Sequence, residues 1–382
     1  MPTTASSPAA WNQLLDRFSK WFTVERMAHD RIEEVCAFFK RAYADQPVAE
    51  HFQDDAFILK RWRWLNEQNP TSLDGGIPAW ICRHNGRIVG HLAVLPAEAV
   101  ARGKTLPLCW GRDLIVAPEV RHLGVGPLLV MTAAGDVRRP FLVAGVSEEA
   151  YAIYDRLGFV DGGLIPLYLK VYEPSRLLET LPWTKLKRTV ASGLVKTVQF
   201  WADRKRPAVS ALTVKPLARF DERFDQWWSH IEGAFPCVVR RTSATMTWRY
   251  HHHPKHQYHC FSVSDQQALR GVLVVRHGRS RGMSAGFMSE MLAHPDDQAA
   301  IDRLVGVAQE FFTAAGRERP VFIRCSMLQP AFAKGLARAG FLRAPSSTHW
   351  MWAPVGGSSD SDGLAGRDDW FLNAGDSDID ML

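Results

Sequence analysis

The chain has 382 residues, room for two or three domains. Hydrophobic residues make up 46% and charged residues 23%, a balance that excludes a disordered, collagen-like or fibrous chain. A net charge of +6 is too small at this length to argue nucleic-acid binding, and no nucleic-acid partner is expected.

In chain order, residues 22–26 read as a short strand and 30–44 as a helix. IPAWICRHN (77–85) and GRIVGHLAVLP (86–96) form a hairpin turning near Asn85-Gly86, a strong turn signal. LPLCWGRDLIVAP (106–118) reads as a long strand, 125–135 as a helix and 141–146 as a strand. Residues 148–157 read as a helix closed by Gly158, and a last strand covers 164–171.

The segment 174–206 follows. From Trp183 to Arg206 it carries seven basic residues and one acidic residue, with Trp183, Leu186, Val190, Leu194 and Val198 at helical spacing. It reads either as a basic amphipathic helix in peripheral contact with a membrane through 183–206, or as a connecting helix packed on a core. Gly193 weakens the helix and apolar stripes usually face a core, which favours the second reading.

A repeat organises the rest. Thr23-Val24 matches Thr213-Val214, Trp64 matches Trp248, and Gly90-His-Leu-Ala-Val94 matches Gly271-Val-Leu-Val-Val275. LIVAP ends at Pro118 and MLAHP at Pro295, TAAG occurs at 132–135 and 313–316, and RLGF and RAGF end at Phe159 and Phe341. Six pairs in one order, offset by 177 to 190 residues, predict a duplicated α+β domain. The expected organisation is a domain at 20–172, a basic helical linker at 173–210, a second domain at 211–355 and an acidic flexible tail at 356–382, with Trp370 and Phe371 as candidate anchors.

The strongest chemical signal is RDLIVAPEVRHLGVGPLLV, a strand, a turn and a helix start. The turn carries Arg121, His122, Leu123, Gly124, Val125 and Gly126. Amides at a helix start lack intrahelical partners, the helix dipole favours an anion there, and glycine lets backbone approach a phosphate. Arg121 adds a positive charge. The stretch predicts a pyrophosphate cradle. Neither GxxxxGK[ST] nor GxGxxG is present, so a P-loop and a Rossmann fingerprint are excluded.

With GVSEEAYAIYDRLGF (145–159) following, the long strand, RxxGxG and AxxIYxxxGF resemble the GNAT acetyltransferase superfamily. The resemblance covers about 22–172 with good motifs, and 212–354 in topology alone. It implies two GNAT-like domains, each a twisted, mostly antiparallel sheet flanked by helices, with acetyl-CoA or another acyl-CoA as co-substrate. It further implies that amides of 121–126 hold the pyrophosphate and that Asp113, Leu114, Ile115 and Val116 pair with the pantetheine arm. Tyr154 stands at the family's frequent tyrosine, which protonates the leaving thiolate. Ser147 stands where many members have Asn. Asp113 is a candidate base, directly or through water; paired with Arg112 it would be structural instead. Cys109 has no histidine arranged with it and is a poor nucleophile candidate.

In the second half MLAHPDDQAAIDRLVG has no glycine before its helix, and Asp296 and Asp297 stand where phosphate amides are needed, so this copy is expected not to bind CoA. TWRYHHHPKHQYH (247–259) suits an acceptor-binding loop with Trp248, Arg249 and Tyr250, matched by Trp64 in the first half; an exposed turn is the plain alternative. No metal is expected, since consecutive histidines cannot all face one ion and HExxH is absent. The six cysteines form no CxxC pair, the N-terminus does not read as a secretory signal and no apolar run approaches the roughly 18 residues of a membrane span, which predicts a cytoplasmic protein.

The functional expectation is an acetyl-CoA-dependent N-acetyltransferase acting on an amine of a small metabolite or amino sugar. Tandem proteins with a WRY…P segment resemble acyltransferases of bacterial polysaccharide pathways. The alternatives are a Fem-type transferase using aminoacyl-tRNA, which does not need the RxxGxG that is present, and a non-catalytic acyl-CoA-binding scaffold.

Overall fold

The computed structural model describes residues 20–44, 52–71, 73, 76–180, 182, 184–204, 211–266, 268–316, 318–354, 366–378 and 380. The strands run in chain order β1 (Thr23–Arg26), β2 (Ala79–His84), β3 (Arg87–Ala101), β4 (Lys104–Val116), β5 (Phe141–Ala144), β6 (Val160–Leu164), β7 (Leu167–Val171) and β8 (Thr213–Pro216). They continue with β9 (Cys237–Val239), β10 (His259–Asp265), β11 (Ala268–Ser280), β12 (Met283–Ala293), β13 (Phe322–Ser326), β14 (Leu342–Ala344), β15 (His349–Ala353) and β16 (Trp370–Phe371).

Local chemistry explains the early elements. Asn85 and Gly86 both take positive φ, 50° and 77°, which turns β2 into β3. The helix Ile32–Ala42 buries Val35, Cys36, Phe38, Phe39 and Ala42 against the first sheet. A helix at Asp55–Asn66 was not read from the sequence. Asp54 caps it, accepting from the Ala56 and Phe57 amides at 3.0 and 3.3 Å.

Among the described residues two sheets form, of nine and seven strands. Their main orders are β1-β2-β3-β4-β5-β15-β6 and β14-β7-β13-β12-β11-β10-β8. The expected strand 164–171 is therefore two strands in different sheets, separated by Ile165-Pro166. Strand β7 leaves the first sheet and lies antiparallel between β13 and β14. Strand β15 returns from the second half and lies antiparallel between β5 and β6, with Trp350 opposite Ala144 and Gly163. Each sheet is thus completed by the other half's strand. The exchange needs a bare backbone at Gly162, where a Cβ would overlap the Trp350 indole. The second half also adds β9 beside β3, and β16 pairs with β9.

Two expectations are corrected. The tail is not flexible where it is described. Trp370, Phe371 and Leu372 are fully buried, because they fill space between the sheets, and Asp376 and Asp380 pair with the buried guanidiniums of Arg241 and Arg276. The GGSSDSDG stretch lies outside the described residues.

The linker helix, Lys185–Arg204, does not turn its apolar stripe to the core. Leu186 is 75% exposed and Val190 and Leu194 are each 64% exposed, while Ser192, Val195 and Gln199 face the protein. Trp183 lies outside the described residues.

Candidate active site

The site begins where β4 and β5 part. They pair in parallel only at Cys109–Phe141 and Trp110–Leu142. Beyond that point Gly111–Val116 and Val143–Ser147 line opposite sides of a cleft of about 800 Å³. The unpaired edge of β4 offers backbone donors and acceptors along one wall.

At the cleft mouth the chain forms a 3-10 turn, Pro118–Leu123, then Gly124 and the helix Val125–Val137. Gly124 has φ 81°, left-handed backbone that a side chain would strain, and this re-aims the chain into the helix. Arg121 donates from Nε to the Val116 carbonyl at 3.1 Å, and Arg121, His122 and Gly126 line the cleft. A Cβ on Gly126 would lie 2.8 Å from Ile153 Cδ1 on the opposite wall, so glycine keeps the mouth open. Of the other loop residues, Leu123 turns its side chain outward and Val125 is fully buried in the core. Any part those two play rests on their backbone.

Ser147 caps the helix Glu148–Arg156, accepting from the Ala150 amide at 3.2 Å. Its hydroxyl therefore serves the helix as well as the cleft wall. Tyr154 is buried at the inner end of the same wall, its ring 4.8 Å from that of Phe159. Burial, with the Asp378 charge as a second cause, raises its phenol well above the usual range and keeps it protonated.

At Asp113 the β3–β4 register shifts, a β-bulge that gives Asp113 φ 51° and turns its carboxylate inward. There it meets a bidentate Arg61, with both contacts at 3.1 Å, and Arg112 Nη1 at 2.6 Å. Arg112 also donates to Asn66 at 2.6 Å. Burial alone would raise the Asp113 carboxyl, but the two guanidiniums outweigh it and hold it well below the usual carboxylate range. The ion-pair role is what the geometry shows; a carboxylate clamped this way is a weak base. His91 lies beneath, its Nδ1 donating to the Asp113 carbonyl at 3.1 Å, and burial pushes it down to about 4. It is neutral at pH 7.

The sequence reading missed Asp378. It reaches from the tail into the inner end of the cleft, beside Arg112, Asp113, Tyr43 and Tyr154. Burial, then repulsion by Asp113, pushes its carboxyl up to about 6. The composition around it points to a flexible tail and hides it; in the sequence only Trp370 and Phe371 signal that the segment is held.

The predicted acceptor residues lie elsewhere. Trp64 and Trp248 stack at 4.7 Å in the core between the sheets. Trp248 and Arg249 border a second cavity of about 420 Å³, with Arg241, Glu290 and Asp376. Tyr250 is buried and donates to Glu290 at 2.9 Å. Neither Trp64 nor Tyr250 lines either cavity.

The matching place in the second sheet is filled. Beyond the parallel β12–β13 pairing the tail crosses, with Leu328 donating to Leu372 at 2.9 Å and a bridge joining Met327 to Asn373. Glu290 accepts there from Arg241, Tyr250 and Asn373. Asp297 caps the helix Gln298–Thr313, accepting from Ala300 at 3.1 Å, so a carboxylate stands at that helix start. Among the described residues no group of three His, Cys, Asp or Glu is arranged to hold a metal.

Residues 76–161 match the family model of an acetyltransferase (GNAT) domain. That stretch contains β2 to β5, the Gly124 turn and the Tyr154 helix. Among solved structures the chain is similar to a GCN5-related N-acetyltransferase from Anabaena variabilis, at 12% identity and TM-score 0.60, covering 87% of this chain and 73% of that one. It is similar to one from Kribbella flavida, at 12% identity and TM-score 0.55, covering 87% and 72%. It is also similar to Saccharomyces cerevisiae N-myristoyltransferase with bound myristoyl-CoA and inhibitors, at 11% identity and TM-score 0.54, covering 92% and 86%. At such identities the likeness is one of fold. No curated protein matches the chain.

Proposed function

We propose that the chain is an N-acyltransferase that takes acetyl-CoA or another acyl-CoA and an amine on a small metabolite or amino sugar, with its working site in the β4–β5 cleft. The observation that carries this reading is the parting of β4 from β5 after Trp110, directly above a left-handed glycine turn and a helix start. The described groups fit the co-substrate. The edge Leu114–Val116 suits an amide-bearing arm, and Arg121, His122 and the amides about Gly124 suit a pyrophosphate. When bound, the thioester supplies an activated acyl group.

The chain's own residues divide the remaining work. Asp378, half ionised near pH 6, takes a proton from the acceptor ammonium, which must be neutral to attack. Tyr154 keeps its proton and holds it at the inner end of the cleft for the departing thiolate. The Asp113–Arg61–Arg112 cluster fixes the bulge, and so the direction of the Asp113 and Leu114 amides, and sets the field that tunes Asp378. In this reading the two halves are copies of one domain, and the second serves as a frame whose own cleft is closed by the tail.

The test is calorimetric titration of the full chain with acetyl-CoA and with a long-chain acyl-CoA, beside an Arg121→Glu variant. Arg121 is exposed, so the reversal leaves the core intact. Binding by the parent, weakened at least tenfold in the variant, followed by turnover with an amine panel, supports the reading. Absence of binding by the parent overturns it. Binding without turnover on any amine favours the scaffold alternative.

A further inference from the structure

The linker helix carries its polar and apolar sides the wrong way round for a packed helix. Its contact side is small and polar. Ser192 and Gln199 are buried there, the Ser192 hydroxyl lies 3.3 Å from that of Ser175, and Val195 packs against the cluster of Val171, Met283, Ala285, Val321 and Phe322. Leu186, Val190 and Leu194, each four residues from the next, occupy the opposite side in solvent, and Val198 and Phe200 extend the exposed apolar surface. An apolar stripe on a surface helix ordinarily faces the core.

Charge says what covers it. Between Lys185 and Phe200 every charged residue is basic: Lys185, Lys187, Arg188 and Lys196. With about 100° between successive residues, Lys187 falls at one edge of the stripe, next to Leu194 and Val198, and Lys185 and Lys196 fall on the other flank of the helix, about 80–100° round from Leu186, where both are exposed. The Lys187 stem can lie beside the apolar surface with its ammonium group outward, and the long stems of Lys185 and Lys196 can reach round the flank towards the same surface. A second copy of the chain would bring lysine against lysine if it covered this face, which is repulsive.

We propose that this helix face docks on an anionic membrane surface, lying in the interface with Leu186, Val190 and Leu194 inserted and Lys185, Lys187 and Lys196 on lipid phosphates. Helices of this pattern lie in the interface plane rather than crossing it. Among the described residues no helix is long and apolar enough to cross a membrane.

The experiment is flotation of the full chain with phosphatidylcholine vesicles and with equimolar phosphatidylcholine–phosphatidylglycerol vesicles, at low and at high salt. Two triple variants accompany it, Leu186→Glu/Val190→Glu/Leu194→Glu and Lys185→Glu/Lys187→Glu/Lys196→Glu. All six side chains are exposed, and an unchanged thermal transition verifies the fold. The parent is expected to float with the anionic vesicles and to be released by salt. The first variant should bind at least tenfold more weakly, and the second by about fivefold for each lysine lost. Failure of the parent to prefer anionic vesicles overturns the proposal, as does binding that neither variant weakens. A concentration-dependent dimer that the glutamate variant makes monomeric would assign the stripe to a second copy and equally overturn it.

Discussion

Trp64 and Trp248 bond reciprocally: each indole Nε1 donates to the other's backbone carbonyl, at 2.9 and 2.8 Å, with the rings stacked at 4.7 Å. These are the two tryptophans paired in the repeat that the sequence predicts. The contact has the self-complementary form of a symmetric dimer interface within one chain.

Removing either ring should loosen both sheets together. Trp64 is 1% exposed, so Trp64→Ala is expected to cost about 3–5 kcal/mol, the usual range for emptying a buried aromatic site. Chemical denaturation followed by circular dichroism should show one transition at lower denaturant. Two separated transitions would show that the contact does not couple the halves.

Asp113→Asn should damage stability more than binding. It strips the carboxylate from two buried guanidiniums, an expected loss of about 3–5 kcal/mol. The depressed carboxyl contributes stability that is present above its unfolded pKa, about 3.9, and lost as pH falls towards its folded value. The parent's stability should therefore decline in acid below that point, and the variant's decline should be shallower. Equal slopes in acid titrations of the two proteins would remove the ion pair from the stability account.

Asp378→Asn should separate chemistry from binding. With its carboxyl at about 6, kcat/KM of the parent should rise with pH through that region and then level. The variant should lose this limb and about 10²–10⁴-fold in rate, with acyl-CoA affinity unchanged by calorimetry. Because the raised carboxyl is disfavoured when ionised in the folded protein, the same variant should be slightly more stable above pH 6. An unaltered pH profile would take Asp378 out of the mechanism.

The cysteines should be silent until the protein opens. All six are buried and free, and burial pushes Cys36 up to about 11 and Cys82, Cys109, Cys237, Cys260 and Cys325 up to about 12. At pH 8 a disulfide reagent should label them only at the rate of unfolding. Fast labelling of Cys109 in the native protein would reopen it as a nucleophile.

Much of the first half was legible in sequence, because its signals are local. Asn85-Gly86 fixed a hairpin, and Gly124 and Gly126 marked the turn. What local patterns cannot carry is partner choice. Leu167–Val171 has the same alternation whichever sheet it joins, so the exchange with β15 left no mark. Arg61 sits on an unread helix, and the clamp on Asp113 could not be weighed without it. Asp376 and Asp380 read as solvated charges because Arg241 and Arg276, which neutralise them, are distant in sequence. The exposed stripe of the linker helix was read inward for a related reason: periodicity finds a face without saying where it points.

The exchange of β7 and β15 bears on how the protein is made. When β6 has left the ribosome, the first sheet still has a gap beside β5, and the strand that closes it ends at Ala353. At ~5–20 residues per second, the nascent first half waits roughly ten to forty seconds with two raw strand edges, each a hazard for pairing with a neighbour. Neither half is a unit that truncation can release intact. Conversely, a protease that cut the chain between the halves would leave two pieces still clasped through each other's sheets, so a nicked molecule should run as one body until it is denatured.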